Sequence, residues 1–322
     1  MVTKTTKTIS SEEMEDLLFT CLIERAPCAL DNLNEIRDYN GRTLLHWTVS
    51  LNLKEETLIL LQNGADPNVK DDDGQTPLHI VSNPEIAQLL IKYGADINAR
   101  DNKNRTPLHY TKDPSVARLL LERGTDPNAV DNEGSTPLHT VPRIAEILLQ
   151  HGADPNAKNK KGLLPIYYAL LKGACEAASL LLQVTDNSLL SDLKDESGNT
   201  LLHLASDNCR ELVQPLLYFV DVNVTDNDGN TPLHIAVFNR DVELIKLLIS
   251  HGADIRAKNK NGVAPLTSIA LMCRNGGSCI TEIIDHLHHP AEVSEFVKDA
   301  FHYGQLQLLR ALLQRGLLHQ II

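Results

Sequence analysis

The sequence predicts an all-α solenoid built from about eight copies of one helix–turn–helix unit. Asp226–Lys258 is the most regular copy, and weaker copies run from Asp38 almost to the C-terminus. A unit of this size cannot bury its apolar faces alone, so the copies must stack on one another. The motif TPLH recurs in phase at 76–79, 106–109, 136–139 and 231–234, and TLLH replaces it at 43–46 and 200–203.

The local chemistry of the regular copy predicts its helices. Gly229 permits a tight turn after Asp226, because glycine accepts backbone conformations that other residues resist. Thr231 then caps a first helix that begins at proline, whose missing N–H has no helical partner at that position. Asp241 caps a second helix, and Gly252 ends it. The predicted order is therefore turn, helix, loop, helix.

These motifs resemble the ankyrin repeat, which has a period of 33 residues and a T-P-L-H-x-A core. Residues 231–236 read TPLHIA. The resemblance implies an ankyrin-repeat solenoid with β-turn or hairpin connections and divergent terminal caps. It also implies a binding scaffold for a partner protein. A tail motif, Gly-Ala-Asp followed two residues later by Asn, recurs at 64–68, 94–98 and 152–156, with GTDPN at 124–128.

The repeats divide the chain into four predicted segments. Residues 1–9 are expected to be a disordered tail, because they are polar and terminal. Residues 10–37 read as an N-terminal helical cap that opens with a Ser10–Glu13 capping box. Residues 291–322 read as a C-terminal helical cap. Between the caps, residues 38–290 hold the repeats, which start near 38, 71, 101, 131, 159, 195, 226 and 259.

Several repeats differ in length from the regular copy. The copies that begin at 71, 101 and 131 lose residues just after TPLH, which predicts shortened inner helices and a notch in the concave face across 71–158. Sequence drift without functional meaning explains the same lengths. The fifth copy replaces its tail motif with residues 184–194, which predicts a longer loop and a hinge.

The composition of the chain limits the kinds of partner and the cellular locations that we expect. The formal net charge is −12, from 30 basic and 42 acidic residues, so no nucleic-acid partner is expected without a concentrated basic stripe. No apolar stretch is long enough for a membrane span, and the first residues contain no apolar h-region, so no ordinary secretory signal is expected. Of six cysteines, Cys175 and Cys209 read as small buried side chains, which favours a reducing compartment. We expect a monomer located in the cytoplasm, or in a host cytoplasm if it is a secreted effector.

Partner-binding residues are inferred from the family, whose partners usually meet turn tips and exposed inner-helix positions. Apolar groups at such positions are typical of interface hot spots, although neighbouring side chains could half-bury them. Tip charges of alternating sign could steer a polypeptide partner, and a solvated edge is the alternative that explains the same residues and is favoured for any single one of them. The predicted tip residues are Asp72, Asp73, Lys103, Arg105, Lys160, Lys161, Leu163, Asn227 and Asp228. The predicted inner-helix residues are Leu171, Phe238 and Asn239.

No catalytic, cofactor-binding or metal-binding residue is predicted. Six of thirteen histidines occupy the TPLH position, where the family uses histidine to bond backbone between neighbouring repeats. The Cys and His residues of 273–289 match no standard zinc spacing. An enzyme site hidden in 184–194 or 273–289 is the alternative of another class. The uneven repeats also resemble ankyrin proteins of intracellular bacteria, some of which are secreted effectors, and a eukaryotic cytosolic adaptor or inhibitor is the rival.

Overall fold

A computed structural model describes residues 7–18 and 33–265, together with Ser268, Ser294 and Lys298. The chain divides into two compact units, Met1–Tyr168 and Ala169–Ile322, called here the first and second unit and described separately. The C-terminal cap predicted over 291–322 lies outside the described residues except for Ser294 and Lys298, as does most of the eighth repeat after Pro265.

The N-terminal segment contains two short strands that the all-α prediction missed. Strand β1 (Lys7–Thr8) pairs in parallel with strand β2 (Ile36–Arg37). The disordered tail predicted over 1–9 is therefore wrong for its last residues. Ile9 supplies the physical reason, because its side chain is buried and its N–H donates to the Arg37 carbonyl over 2.9 Å.

Helix α1 (Ser11–Leu18) begins at the predicted capping box. The Glu13 N–H donates to Ser10 Oγ over 3.1 Å, and the Ser10 N–H donates to Glu13 Oε2 over 2.7 Å. The helical cap was predicted to run to residue 37, and residues 19–32 lie outside the described part of the chain.

Each repeat contributes an inner helix, which follows the turn, and an outer helix. In the first unit the inner elements are α2 (Leu44–Ser50), α4 (Pro77–Ile80), a 3-10 helix (Pro107–His109) and α7 (Pro137–Thr140). The outer elements there are α3 (Lys54–Gln62), α5 (Pro84–Lys92), α6 (Pro114–Glu122), and a 3-10 helix (Pro142–Ile144) that continues into α8 (Ala145–Gln150).

The second unit follows the same order. Helix α9 (Pro165–Leu171) is the inner helix of the fifth repeat and crosses the boundary between the units. It is followed by α10 (Cys175–Val184), a 3-10 helix (Asn187–Leu189), α11 (Leu201–Asn208) and a 3-10 helix (Arg210–Leu212). Helices α12 (Val213–Leu216), α13 (Pro232–Phe238) and α14 (Val242–Ser250) complete the described elements.

The predicted shortening of inner helices is confirmed. Helices α4 and α7 have four residues each, whereas α2 and α13 have seven. At about 1.5 Å per residue, each short helix ends roughly 5 Å earlier than a regular one. The next helix then begins at a capping residue, with Asn83 accepting the Glu85 N–H over 2.7 Å and Asp113 accepting the Ser115 N–H over 2.8 Å. Whether the resulting notch binds anything stays a prediction.

Leucines from successive repeats form the core of the first unit. The TPLH leucines Leu78, Leu108 and Leu138 are at most 1% exposed, and the outer-helix leucines Leu90 and Leu120 are fully buried. Because each repeat supplies the same pair of buried positions, the apolar layers continue from one repeat to the next.

Residues 184–194 form a packed segment. They contain the 3-10 helix Asn187–Leu189, and the side chains of Leu190 and Leu193 are buried. Lys194 and Thr200 form an isolated antiparallel bridge. The loop is longer than those of neighbouring repeats, as predicted, and its role as a hinge stays a prediction.

Candidate functional site

One side chain fixes the conformation of each turn tip. In the third repeat the buried Asp101 accepts the Lys103 N–H over 2.9 Å and the Arg105 N–H over 2.7 Å through one oxygen, Oδ1. Asn159 makes the same two bonds in the fifth repeat, to the N–H groups two and four residues later. The first side chain of the turn therefore shapes the tip and leaves the next two side chains to solvent.

Neighbouring tips are also bonded to one another through the backbone. In the first unit the N–H groups of Asp72, Asn102, Asn132 and Lys160 each donate to a carbonyl of the preceding tip, over 2.9 to 3.0 Å. In the second unit the Asn227 and Lys260 N–H groups do the same, over 2.9 and 2.8 Å. The tips thus form a hydrogen-bonded row within each unit.

Charged side chains project from this row in the first unit. Asp72, Asp73, Lys103, Lys160 and Lys161 are all exposed, as a binding role requires. Their order along the row is acidic, basic, then basic, with the exposed Glu133 between the two basic tips. Contact with a partner stays a prediction for these residues.

Arg105 departs from the prediction of an exposed tip residue. Its side chain is only 27% exposed, and Nε donates to Asp131 Oδ2 over 2.9 Å. Its guanidinium carbon lies 5.8 Å from the centre of the Tyr110 ring, within the range of a cation–π contact. Arg105 therefore joins the third repeat to the fourth, and its charge is already engaged.

Leu163 is the clear error among the predicted contact residues. It is 4% exposed, so its side chain cannot reach a partner. Its N–H donates to Asn159 Oδ1 over 3.0 Å, and its carbonyl accepts from His139 Nε2 over 3.2 Å. The backbone bonds draw the residue inward, and an apolar side chain is then more stable buried than in water.

The tip of the seventh repeat is partly structural. Asn227 is exposed, yet its side-chain amide donates to the Glu196 carbonyl over 2.8 Å. Asp228, the next residue, is exposed and offers its carboxylate to solvent. Of the two predicted residues, Asp228 is better placed to meet a partner.

Phe238 is the most exposed large apolar side chain in the described residues. It is 87% exposed at the end of α13, and Leu171 is 48% exposed at the end of α9, so both apolar predictions of exposure are confirmed. Beside Phe238, the Asn239 amide donates to Asp207 Oδ1 over 3.0 Å, which links the sixth and seventh repeats. Asn239 is thus both exposed and held in place.

A groove of about 660 Å³ opens next to Phe238 within the second unit. Ile235, Val263 and Pro265 give it an apolar lining, and Asp207 and Arg240 bring one negative and one positive charge to it. Its volume falls within the range of ligand pockets, and an apolar lining with a few polar groups is typical of such sites.

The TPLH histidines are structural, as predicted. In the third repeat His109 Nδ1 accepts the Thr106 N–H over 3.1 Å, and Nε2 donates to the Ser135 carbonyl of the next repeat over 3.1 Å. This pair of bonds requires a neutral ring with its proton on Nε2. Burial lowers the pKa of His109 to about 4. Equivalent bonds to the next repeat are made by His46, His79, His139, His203 and His234.

Aromatic residues after these histidines contact the turn, a pattern that was not predicted from the sequence. Tyr110 donates its hydroxyl to Asp101 Oδ2 over 2.6 Å, nine residues earlier. Trp47 is half-buried and donates Nε1–H to Asp38 Oδ2 over 3.0 Å. The nine-residue spacing to an aspartate was the available signal.

The prediction that Cys175 and Cys209 are separate buried side chains is wrong, because the two residues form a disulfide bond. Their Cα atoms lie 5.4 Å apart although the residues are separated by 34 positions. That separation is close to one repeat, so stacking brings them together. These two cysteines therefore no longer argue for a reducing compartment.

The enzyme alternative gains no support from the described part of its segments. In residues 184–194, Asp186 acts as a cap, and hydrogen bonds from Ser188 lower the pKa of its carboxyl. Residues 273–289, with their Cys and His cluster, lie outside the described residues. Within the described residues, no helix is both long and apolar enough to cross a membrane.

Comparison with known proteins identifies the class. The family model for ankyrin repeats in three copies matches residues 10–101, 45–131, 110–187, 140–226 and 206–294. These ranges cover most of the chain, and the chain therefore belongs to the ankyrin-repeat family. Proteins of this family are generally binding scaffolds for other proteins.

Individual relatives share only part of the chain. A putative ankyrin repeat protein of fowlpox virus is 35% identical over 101 residues, 29% of this chain and 29% of its own length. A putative ankyrin repeat protein of Rickettsia felis is 39% identical over 92 residues, 25% of this chain and 40% of its own. A probable 26S proteasome regulatory subunit of Saccharomyces cerevisiae is 32% identical over 128 residues, which are 36% of this chain and 56% of its own length. The chain thus spans less than two thirds of each of these relatives.

Proposed function

We propose that the protein binds a polypeptide partner through the inner-helix surface around Phe238 and Leu171, with the charged tips of the first unit as a second contact region. The exposure of Phe238 is the observation that carries the proposal. A ring that is 87% exposed gains nothing for the fold of the chain alone. Burying such a ring against a partner contributes about 2 kcal/mol or more, which makes aromatic side chains frequent hot spots.

The surroundings of Phe238 suit an apolar anchor with a polar rim. The groove beside it has room for an inserted side chain from a partner. The hydrogen bond from Asn239 holds the Asp207 carboxylate in one orientation. Binding therefore loses little conformational entropy at this side chain. A partner segment with an apolar residue flanked by a hydrogen-bond donor fits this arrangement.

The tip row of the first unit supplies a complementary source of specificity. Asp72 and Asp73 attract a basic stretch of a partner, whereas Lys160 and Lys161 attract an acidic one. Such pairs at the rim of an interface mainly raise the association rate and fix the register of the partner. Their effect decreases with salt, because exposed charges are screened beyond about 8 Å at physiological ionic strength.

A pull-down with chemical crosslinking tests the proposal. Wild type is compared with the Phe238→Asp/Leu171→Asp variant, after circular dichroism has shown that both are folded. Tyr218→Asp is the matched control, because Tyr218 is also exposed in the second unit but follows an outer helix. We expect the double variant to lose partners that the control retains. Equal capture by all three proteins contradicts the assignment of this surface.

A photo-crosslinking amino acid placed at position 238, and separately at position 218, locates the contact directly. Partners that crosslink from 238 and not from 218 lie against the inner-helix surface.

We further propose a cytoplasmic location and a host protein as the partner, on the resemblance of the uneven repeats to effectors of intracellular bacteria. Expression in cultured host cells, followed by identification of the proteins crosslinked at 238, tests that proposal.

A further inference from the structure

An asparagine side chain joins the tails of several pairs of neighbouring repeats. In the first unit the Asn68 amide donates to the Gly94 carbonyl over 2.8 Å, and Asn68 Oδ1 accepts the Asp96 N–H over 2.7 Å. In the second unit Asn223 makes the same pair of bonds to Gly252 and Asp254. Each pair ties the tail of one repeat to the tail of the next.

The fifth repeat lacks this asparagine. Ser188 stands two residues after Asp186, in the position that asparagine holds in the tail motif. The Ser188 hydroxyl donates to Asp186 Oδ1 over 2.8 Å, within the same repeat. The asparagine link between neighbouring tails is therefore replaced here by a bond inside one repeat.

The Cys175–Cys209 disulfide lies at this same junction. Cys175 is the first residue of α10 in the fifth repeat, and Cys209 is the C-cap of α11 in the sixth. We propose that this pair is a reversible thiol–disulfide site that fastens the sixth repeat to the fifth when oxidised and loosens it when reduced. The proposal does not depend on the identity of a partner.

The surroundings of Cys175 favour reversibility. Its side chain is half-buried, whereas Cys209 is 1% exposed, so a reductant reaches Cys175 first. Cys175 also opens a helix of ten residues, and a helix N-terminus stabilises a thiolate. A more stable thiolate is a better leaving group in thiol–disulfide exchange.

The exchange is balanced with a dithiol as the reductant. A thiolate of the dithiol attacks Cys175 Sγ and forms a mixed disulfide, while the electron pair of the broken bond leaves on Cys209, which takes a proton. The second thiol of the dithiol then closes its own disulfide and releases Cys175 as a thiolate. The dithiol is oxidised by two electrons, and the protein pair is reduced by two.

Hydrogen–deuterium exchange on the full chain tests the proposal. We expect millimolar dithiothreitol, without denaturant, to raise amide exchange in α10 and α11 by tenfold or more, while α5 and α6 of the first unit remain unchanged. Alkylation with iodoacetamide and peptide mapping must show both cysteines blocked before reduction and labelled after it. Free thiols before reduction, or exchange rates that do not respond to reduction, overturn the proposal.

The Cys175→Ala/Cys209→Ala variant separates this pair from the four other cysteines. Its α10 and α11 amides should exchange at the fast rate with or without dithiothreitol. A response of the variant to the reductant assigns the effect elsewhere and overturns the proposal. The proposal is also overturned if the wild-type disulfide is reduced only in denaturant, because the bond is then a permanent structural disulfide.

A metal site is the remaining alternative for the reduced pair. A Glu211 carboxylate oxygen and both sulfur atoms lie within 4.8 Å of one another. Two thiolates and a carboxylate are ligands that Zn²⁺ accepts. Reduced protein is therefore incubated with micromolar ZnCl₂ before alkylation. Full labelling of both cysteines supports an exchange site, and protection of both by Zn²⁺ overturns it.

Discussion

Arg105 Nε lies 2.9 Å from Asp131 Oδ2, which joins the tip of the third repeat to the turn of the fourth. The carboxylate is 1% exposed and is already used by the N–H groups of Glu133 and Ser135. Arg105 thus provides the compensating charge for a buried carboxylate, whereas its neighbour Lys103 is exposed.

Replacing Arg105 with methionine should destabilise the fold, whereas the same change at Lys103 should not. Arg105→Met leaves Asp131 buried without its cation, at a cost of about 2 kcal/mol. Urea unfolding at pH 7 measures the difference. If Lys103→Met costs as much as Arg105→Met, the distinction between a structural and an exposed tip charge is wrong.

Because the pKa values of the buried TPLH histidines are lowered, we expect the fold to lose stability in weak acid. Burial lowers the pKa of His109 to about 4, from an unfolded value of 6.5, so the unfolded chain binds the proton more readily. The stabilisation is therefore complete above pH 6.5 and is lost as pH falls toward 4. His46, His79, His203 and His234 shift in the same direction for the same cause.

Urea unfolding at pH 7.5 and pH 5 measures this effect. His109 alone should remove about 2 kcal/mol of the free energy of unfolding between these values. In a His109→Gln variant, which cannot titrate there, the loss between the two pH values should be smaller by that amount. An unchanged pH dependence in the variant contradicts the assigned role.

Replacing Arg240 with glycine should stabilise the fold. Its φ of 57° lies in the left-handed region, where the equivalent residues of other repeats are Asn52 and Gly173, with φ of 60° and 62°. Arg240→Gly relieves that conformation and should stabilise the fold by roughly 0.5–1 kcal/mol, after the larger unfolded-state entropy of glycine is counted.

Gly173→Ala is the reciprocal control for Arg240→Gly. An added Cβ at Gly173 meets no atom within 4 Å, so any cost is conformational. Thermal unfolding should therefore shift upward for Arg240→Gly and downward for Gly173→Ala. Shifts of the same sign would show that the backbone conformation is not the controlling factor.

Thr125 should be replaceable by alanine without loss. The side chain is 3% exposed, and within the described residues its Oγ1 has no hydrogen-bond partner. Ala95 and Ala153 occupy the same position in the neighbouring repeats. Thr125→Ala should stabilise the fold by about 1 kcal/mol in urea unfolding, and Ala95→Thr should destabilise it by a similar amount.

The sequence was sufficient for the fold because each motif residue performs a local task that recurs. Thr76 and His79 cap a helix, and the same two residue types do so in the other TPLH repeats. Such bonds connect positions a few residues apart, so they can be recognised from spacing alone. The strand β1 was missed because it pairs with residues about 30 positions away.

The candidate site was less predictable because exposure depends on the neighbouring repeat. Arg105 and Leu163 occupy the same turn position as exposed family residues, yet Asp131 engages the first, and burial within the first unit removes the second from solvent. The exposure of Phe238 and Leu171 was predicted correctly because both residues end an inner helix, and their contact with a partner stays a prediction. Cys175 and Cys209 needed a comparison of adjacent repeats, which reading along the chain does not provide.

The bonds from the first side chain of each turn have a consequence for how the protein can evolve. In the third repeat Asp101 fixes the backbone of the tip through Oδ1, and Asn102 donates its side-chain amide to the Asp72 carbonyl of the preceding tip over 2.8 Å. A substitution at the exposed third position of this turn, Lys103, can therefore change the charge of the tip without breaking either set of bonds. A lineage can thus alter the charge pattern of the tip row while inheriting the same scaffold.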